Sequence, residues 1–418
     1  MCARDPAQNP IAMNETGLRS WTDRLFDFVP QVVALFGALL VGAIMLLLIG
    51  VNPWEAYRAA FTGVFGSKNG LSDMLVKATP LLLVALGTCI AFRANVINIG
   101  AEGQLIMGAL ATTWLAVEMG SAAPAWLLIL LCMLIGFVAG GAWGAIPGYL
   151  KARLGVNEIL STVMLNQIAI QLGFFLLRGV MMDPAERAAG TNLPHSARLP
   201  AVADLPRFTD IAKSLGFTQT AKQLGLDGMT AEFYGLFAEP TRLHLGLIFA
   251  IIAAIVVYIL LWRTTVGYRI RAVGFNPAAA RYAGFRVRAY VVLALTLSGA
   301  LAGLAGAVEI LGLHHRMFEP TSVSAGYGFS GIVVALFGRL HPLGAIPSAL
   351  LFGALLVGGD KMQRAMQIPQ PLVTALLGLV VLFVVSADYW TKKRATRIHV
   401  KREPTPAGTS ASAGAAAD

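Results

Sequence analysis

"WLLILLCMLIGFVAGGAWGAIPGYL", residues 126–150, runs for twenty-five positions without one charged side chain. A helix rises about 1.5 Å per residue, so a stretch of this length spans the hydrocarbon core of a bilayer. Working outward, similar apolar stretches fall near 31–50, 74–92, 103–119, 159–178, 244–262, 290–312, 327–340, 343–359 and 372–387. The fold class is therefore an all-α polytopic membrane protein with about ten transmembrane helices. The segments at 103–119 and 327–340 are short and read as interrupted or re-entrant helices. Composition agrees: of 418 residues, 56% are hydrophobic and 13% charged, whereas a soluble domain is about a quarter charged. Small residues recur every four positions in "GFVAGGAWGAIPG" (136–148) and "SGALAGLAGA" (298–307). Such stripes let helix backbones approach closely where lipid leaves packing as the main attraction.

Net charge is +10. The basic residues sit in loops and in the tail, which argues for membrane orientation and against nucleic-acid binding. The loop 263–288 carries six Arg, and "KKRATRIHVKR" (392–402) carries six Lys/Arg. The positive-inside rule places both in the cytoplasm. An even number of spans must separate them, and four fit. Lys151, Arg153 and both chain termini then also lie inside. The chain divides into a cytoplasmic segment 1–28 without an apolar signal-peptide core, a membrane domain 29–390, and a basic, then low-complexity, disordered tail 391–418. Residues 179–243 form an extracytoplasmic insert, either a structured cap on the outer mouth or a docking surface for an external partner. Cys2, Cys89 and Cys132 build no disulfide framework, and the last two read as small core residues.

Polar groups at membrane depth mark function. "FRANVINIGAEGQLIMGALATT" (92–113) brings Asn95, Asn98, Glu102 and Gln104 to the ends of two spans. A carboxylate near the bilayer centre costs about 2.5–3.5 kcal/mol, so it faces a cavity or a partner. Gly100, Gly103 and Gly108 suggest that the helix is interrupted here. Two readings stand side by side: these groups cap helix ends and bond one another, or they line a solute path. In "GVNEILSTVMLNQIAIQ" (155–171), Asn157 and Glu158 open a helix, while Asn166, Gln167 and Gln171 lie deeper. They serve interhelical hydrogen bonds or a polar solute. Glu309 has His314 or Arg316 as a candidate partner, and Tyr327 and Phe329 read as core or as stacking surfaces for a base. The substrate-path candidates are Asn95, Asn98, Glu102, Gln104, Asn157, Glu158, Asn166 and Phe329. No Gly-Lys dipeptide exists, so no phosphate-binding P-loop is present. Neither G-x-S-x-G nor H-E-x-x-H occurs, and His314–His315 lacks metal-ligand spacing. No catalytic residue, metal or bound cofactor is expected.

One stretch looks soluble. In "VGFNPAAARYAGF" (273–285), Asn276 is a helix N-cap, Pro277 suits the first turn, alanines follow, and Gly284 closes the helix. A short capped helix in a basic loop suits an attached soluble motor. This stretch is similar to the coupling helix of ABC importer permeases, which inserts into a groove on the ATPase subunit. Five further motifs extend the likeness: "NVINIGAEGQLIMGA" (95–109), "GVNEILSTVMLN" (155–166), "LSGALAGLAGA" (297–307), "GYGFSGIVVALFGRLHPLG" (326–344) and "MQRAMQIPQPLVTALLGLVVLFV" (362–384). Together, over roughly 30–390, the chain resembles the permeases of general nucleoside ABC importers, within a wider group that includes ribose and branched-chain amino-acid permeases.

The resemblance implies a permease subunit, not an enzyme, in a bacterial cytoplasmic (inner) membrane. Its partners would be ABC ATPase subunits holding ATP and Mg, a second permease (a paralogue or a copy), and an extracytoplasmic substrate-binding protein. Coupling would run through Asn276, Pro277, Ala280, Arg281, Tyr282 and Gly284. "NIGAEGQ" points to nucleosides, since sugar permeases carry an Asp-containing version. Two departures stand out: the long 179–243 segment, and Phe285 where a smaller aliphatic is common. Simple sugars and branched-chain amino acids are alternative solutes, and an ion-coupled secondary transporter is an alternative class.

Overall fold

Lipid offers the backbone no hydrogen bonds, so an apolar chain must close them within itself, and helices follow. In the computed structural model, residues 29–386 are described, apart from 121, 192, 217–220, 222, 226, 227, 381, 384 and 385. Among the described residues the only strand-like feature is an isolated bridge between Arg207 and His244. The N-terminal segment, Cys2 and the basic tail lie outside the described residues.

The first half of the chain forms α1 (Val29–Leu48), α2 (Pro53–Phe65), α3 (Lys68–Arg93), α4 (Ala101–Met119), α5 (Ala125–Tyr149, widening into a π turn to Leu154) and α6 (Glu158–Arg178). Three short helices follow: α7 (Pro184–Ala189), α8 (Phe208–Ser214) and α9 (Gly228–Ala238). Then come α10 (Gly246–Arg263), α11 (Thr265–Phe275), α12 (Pro277–Tyr282), α13 (Val287–Glu309, with a π turn to His314), α14 (Pro320–Ser324), α15 (Tyr327–Phe337) and α16 (Pro342–Met366). Finally α17 covers Gln370–Val380. A described helix falls at each of the ten positions read as spans, and among the described residues 7 helical segments are long and apolar enough to cross a membrane. These are α3, α5, α6, α10, α13, the α14–α15 pair and α16. The chain is a multi-pass membrane protein.

Two local readings change. The interruption expected at Gly100, Gly103 and Gly108 falls at 94–100, where Asn95 has φ +56°, so it takes in Gly100 but neither of the other two. From Ala101 onward α4 is continuous; its inner glycines serve close packing, since a Cβ on Gly108 would sit 2.3 Å from the Gly303 carbonyl oxygen. The short span at 327–340 is continuous from Tyr327 to Phe337, and its break likewise lies upstream, where Ala325 (φ +43°) and Gly326 (φ +75°) part α14 from α15. Helix α2 was not anticipated, although Asn52–Pro53 repeats the cap chemistry of Asn276–Pro277, and the Asn52 carbonyl oxygen Oδ1 accepts from the Trp54 amide at 3.0 Å.

The centre is α13, whose Ala and Gly residues from Ala294 to Ala307 are mostly buried. It packs against α3, α4 and α5. Cys89 and Cys132 are buried free thiols. Residues 196–205 run beside the turn after α13: the Ser196 amide donates to the Met317 carbonyl, Leu199 to His315 and Leu205 to Leu311, each at 2.9 Å. Lys68, opening α3, pairs with Glu239, and its amide donates to Glu232 on α9. The 179–243 segment is thus folded over one end of the bundle, here termed the insert end.

His244 anchors that cap. It is 1% exposed, its Nδ1 accepts from the Gly246 amide at 3.1 Å, and its ring lies against Gly312.

Candidate functional site

After Arg93 the chain leaves α3 and must satisfy its backbone while turning at 94–100. Asn98 and Gln104 do so as a reciprocal amide pair: Asn98 Nδ2 donates to Gln104 Oε1 at 2.9 Å, and Gln104 Nε2 donates to Asn98 Oδ1 at 3.2 Å. Asn98 also donates to Ser298 Oγ on α13 at 2.8 Å and accepts from the Gly100 amide at 2.9 Å. Asn166, from α6, accepts from the Gly103 amide at 2.8 Å and donates to the Ile99 carbonyl at 2.9 Å. A neighbouring helix thus caps the first turn of α4, whose own N-cap Gly100 offers no side chain.

Glu102 performs the same service for α15. Its two carboxylate oxygens accept from the Gly326 amide at 3.1 Å and the Gly328 amide at 2.7 Å. A carboxylate at a helix N-terminus also meets the positive end of the helix dipole. Asn98, Glu102, Gln104 and Asn166 are all buried, and each is spent on backbone or on another member of the set. The structure brings these four together with Ser298. Asn95, Asn157 and Phe329 stand apart and exposed. Asn157 caps α6, accepting from the Ile159 amide at 2.9 Å, and Glu158 pairs with Lys151 at 2.5 Å. Gln167 and Gln171 are exposed. Of the two partners considered for Glu309, His314 is the near one, at 3.6 Å, while Arg316 stacks on Phe318.

Glu102→Ala would leave two amides without acceptors, the buried one of Gly328 and the partly buried one of Gly326, and a buried amide so left costs about 1–3 kcal/mol. A loss of about 2–4 kcal/mol in unfolding stability is expected. Glu102→Gln, which keeps one carbonyl oxygen, should lose about half of that. Thermal denaturation of the purified variants checks this; an unshifted midpoint for Glu102→Ala would refute the capping role.

At the end of the bundle away from the insert, α12 has its expected caps. Asn276 Oδ1 accepts from the Ala278 and Ala279 amides at 3.0 and 3.1 Å. Gly284 takes φ +81°, letting the Phe285 amide reach back to the Ala280 carbonyl at 2.9 Å. Ala280 is the buried residue of the helix. Phe285 is gripped by Arg269, whose guanidinium lies 5.8 Å from the ring centroid, and Tyr268 meets it edge-on. The larger side chain at this position therefore anchors the helix end. Arg281 and Tyr282 point away from the protein; Tyr282 is 97% exposed and nearby Phe275 is 95% exposed. Exposed aromatics rimmed by arginine have the composition of protein-docking hot spots.

The base of this loop is tied to the polar break. A Cβ on Gly274 would stand 2.1 Å from the Arg93 carbonyl oxygen, so α11 rests directly on the end of α3. Arg93 and Arg271 both lie over the Trp262 ring, at 5.1 and 5.7 Å, and Arg93 donates to the Leu340 carbonyl at 3.2 Å. Sequence reasoning missed Ser298, the Gly326 and Gly328 amides, and this Arg93–Trp262–Arg271 stack. Only Ser298 carried a signal, as a hydroxyl at the head of the 298–307 small-residue stripe.

Residues 70–385 match the family described as "Branched-chain amino acid transport system / permease component". A glucose ABC transporter permease protein of Haloferax volcanii is 35% identical over 87% of this chain and 88% of its own length. A guanosine ABC transporter permease protein of Bacillus subtilis is 33% identical over 87% and 94%. A nucleoside ABC transporter permease protein of Lactococcus lactis is 32% identical over 85% and 90%. No solved structure matches the chain.

Proposed function

The chain belongs to the permease-component family of branched-chain amino acid transport systems, and from that premise we propose that it is the membrane subunit of an ABC importer for nucleosides. The carrying observation is α12: a six-residue helix, capped at both ends, that presents Tyr282 on the arginine-rich end of the bundle. Separate ATPase subunits, which hold the ATP and Mg, seat on α12 from the cytoplasm. A binding protein delivers solute at the insert end, and a second permease completes the path. On this reading 263–288 is cytoplasmic, 179–243 extracytoplasmic, and ten spans through an inner membrane leave both termini in the cytoplasm.

Motion enters at α12, passes through α11 to Arg93, and reaches the 94–100 break. There the amide pair and Asn166 carry it to α13 and α6, and Glu102 carries it to α15. Asn98, Glu102, Gln104 and Asn166 act on the solute through the backbone they hold. Asn95, Asn157 and Phe329 are the exposed side chains a solute can touch, Phe329 by stacking on a base, whereas Glu158 is buried against Lys151. Relatives named for guanosine and nucleosides support the solute class, together with the "NIGAEGQ" stretch; the relative named for glucose makes hexose the second reading.

Vesicles carrying the chain with its ATPase, partner permease and binding protein test this. Labelled guanosine should enter only with ATP, should be competed by other nucleosides but not by glucose or leucine, and should ignore a proton ionophore. Glucose-competed uptake would install the second reading. ATP-independent uptake that collapses with the ionophore would make the chain a secondary transporter.

A further inference from the structure

At the insert end a cavity of about 400 Å³ opens between the first turns of α3, the two edges of the insert, and the last turns of α16. Ser72 and Asp73 come from α3, Arg207 and Arg242 from the insert, and Lys361 and Arg364 from α16. Arg207, Arg242 and Arg364 are exposed, and among the described residues none of the three makes an ion pair. Lys361 lies 3.9 Å from Asp73, a loose pairing. Four cations thus face one carboxylate. At the wall, Ser72 is 1% exposed and its hydroxyl has no hydrogen-bond partner. A buried hydroxyl without a partner is costly, and a helical serine ordinarily bonds back to the preceding turn. This hydroxyl has no partner, and its residue lines the cavity.

We propose that this cavity is a phosphate-binding site. Arginine forks match the oxygens of a phosphate, and a free hydroxyl supplies one more donor to a group with acceptors on every side. The nucleoside proposed as solute is uncharged, so the basic cavity serves a different ligand. Ser72 lies one turn inside α3 and Arg364 half a turn from the end of α16. The site therefore sits where helices leave the membrane, the level of lipid phosphates, although a free phosphate ester presents the same chemistry. Binding draws insert cations and bundle cations onto one anion. It relieves their mutual repulsion and clamps the insert to α3 and α16.

The full chain, purified in neutral detergent, is titrated with inorganic phosphate at constant ionic strength against chloride. In parallel it is placed in phosphatidylcholine vesicles with or without phosphatidylglycerol, and the unfolding midpoint is followed in both. A rise with inorganic phosphate identifies a soluble phosphate as the source; a rise with phosphatidylglycerol alone identifies a lipid headgroup. In Ser72→Ala, which changes no charge, the concentration needed should increase roughly tenfold. In the double variant R242Q/R364Q, both positions being exposed, the rise should vanish. No rise in either medium overturns the proposal. So does a rise that Ser72→Ala and R242Q/R364Q both leave unchanged, because general charge screening would then account for it.

Discussion

Replacing Gly303 with leucine should leave almost no folded protein. A Cβ on residue 303 would stand 2.3 Å from the Gly136 carbonyl oxygen and 2.7 Å from the Gly140 Cα. Both obstacles are backbone, so no rotamer change relieves them, and α5 and α13 must part. A forced gap forfeits dispersion contacts along the whole interface, and α13 is the helix against which α3, α4 and α5 all pack. Ordinary overpacking costs about 1–3 kcal/mol; a backbone clash at the hub should exceed about 4 kcal/mol. Yield of monodisperse protein and the unfolding midpoint report it. Gly378→Ala, within α17 and with nothing within 4 Å of the new Cβ, should not destabilise the fold, since alanine is favoured over glycine in a helix by about 1 kcal/mol. Wild-type yield and midpoint for Gly303→Leu would refute the hub role.

Tyr282→Ala should remove most transport while leaving the fold untouched. The side chain is 97% exposed, so its loss costs the isolated chain next to nothing. Against a docked ATPase, a buried aromatic anchor is worth about 2 kcal/mol or more, roughly thirtyfold in affinity. Uptake, and the stimulation of ATP hydrolysis by loaded binding protein, should fall together by that order. Arg281→Ala should add to the loss. Asn276→Ala removes an N-cap worth about 1 kcal/mol and should weaken coupling with a small stability change. The unfolding midpoint of Tyr282→Ala must match that of the unaltered chain. Undiminished uptake would show that the ATPase grips the chain elsewhere.

How much of this was legible beforehand depended on the range of each signal. The α12 caps were readable because Asn276, Pro277 and Gly284 act within one turn, and the structure gives each the expected geometry. The same chemistry at Asn52–Pro53 was equally present and went unread, which cost α2. Polar residues at 95–104 were visible as a cluster, but both a packing role and a path role fitted them. Burial and hydrogen bonds show that Asn98, Glu102, Gln104 and Asn166 hold backbone, while Asn95 remains exposed. Helices such as α3 and α4 are buried nearly all round, so they have no apolar stripe to show which neighbour lies on which side.

The residues alone determined that the chain is helical, that it crosses a membrane many times, and roughly where its long apolar helices lie. Those properties follow from hydropathy over about twenty residues and from capping within three or four. The tertiary structure decided which distant groups meet: Glu102 with the amide of Gly328, 226 positions away, and Asn98 with Ser298, 200 away. It also gathered Ser72, Arg242 and Arg364 around one cavity. A buried donor or acceptor requires a partner but does not specify where along the chain that partner lies, and only the packed arrangement of the helices supplies the address.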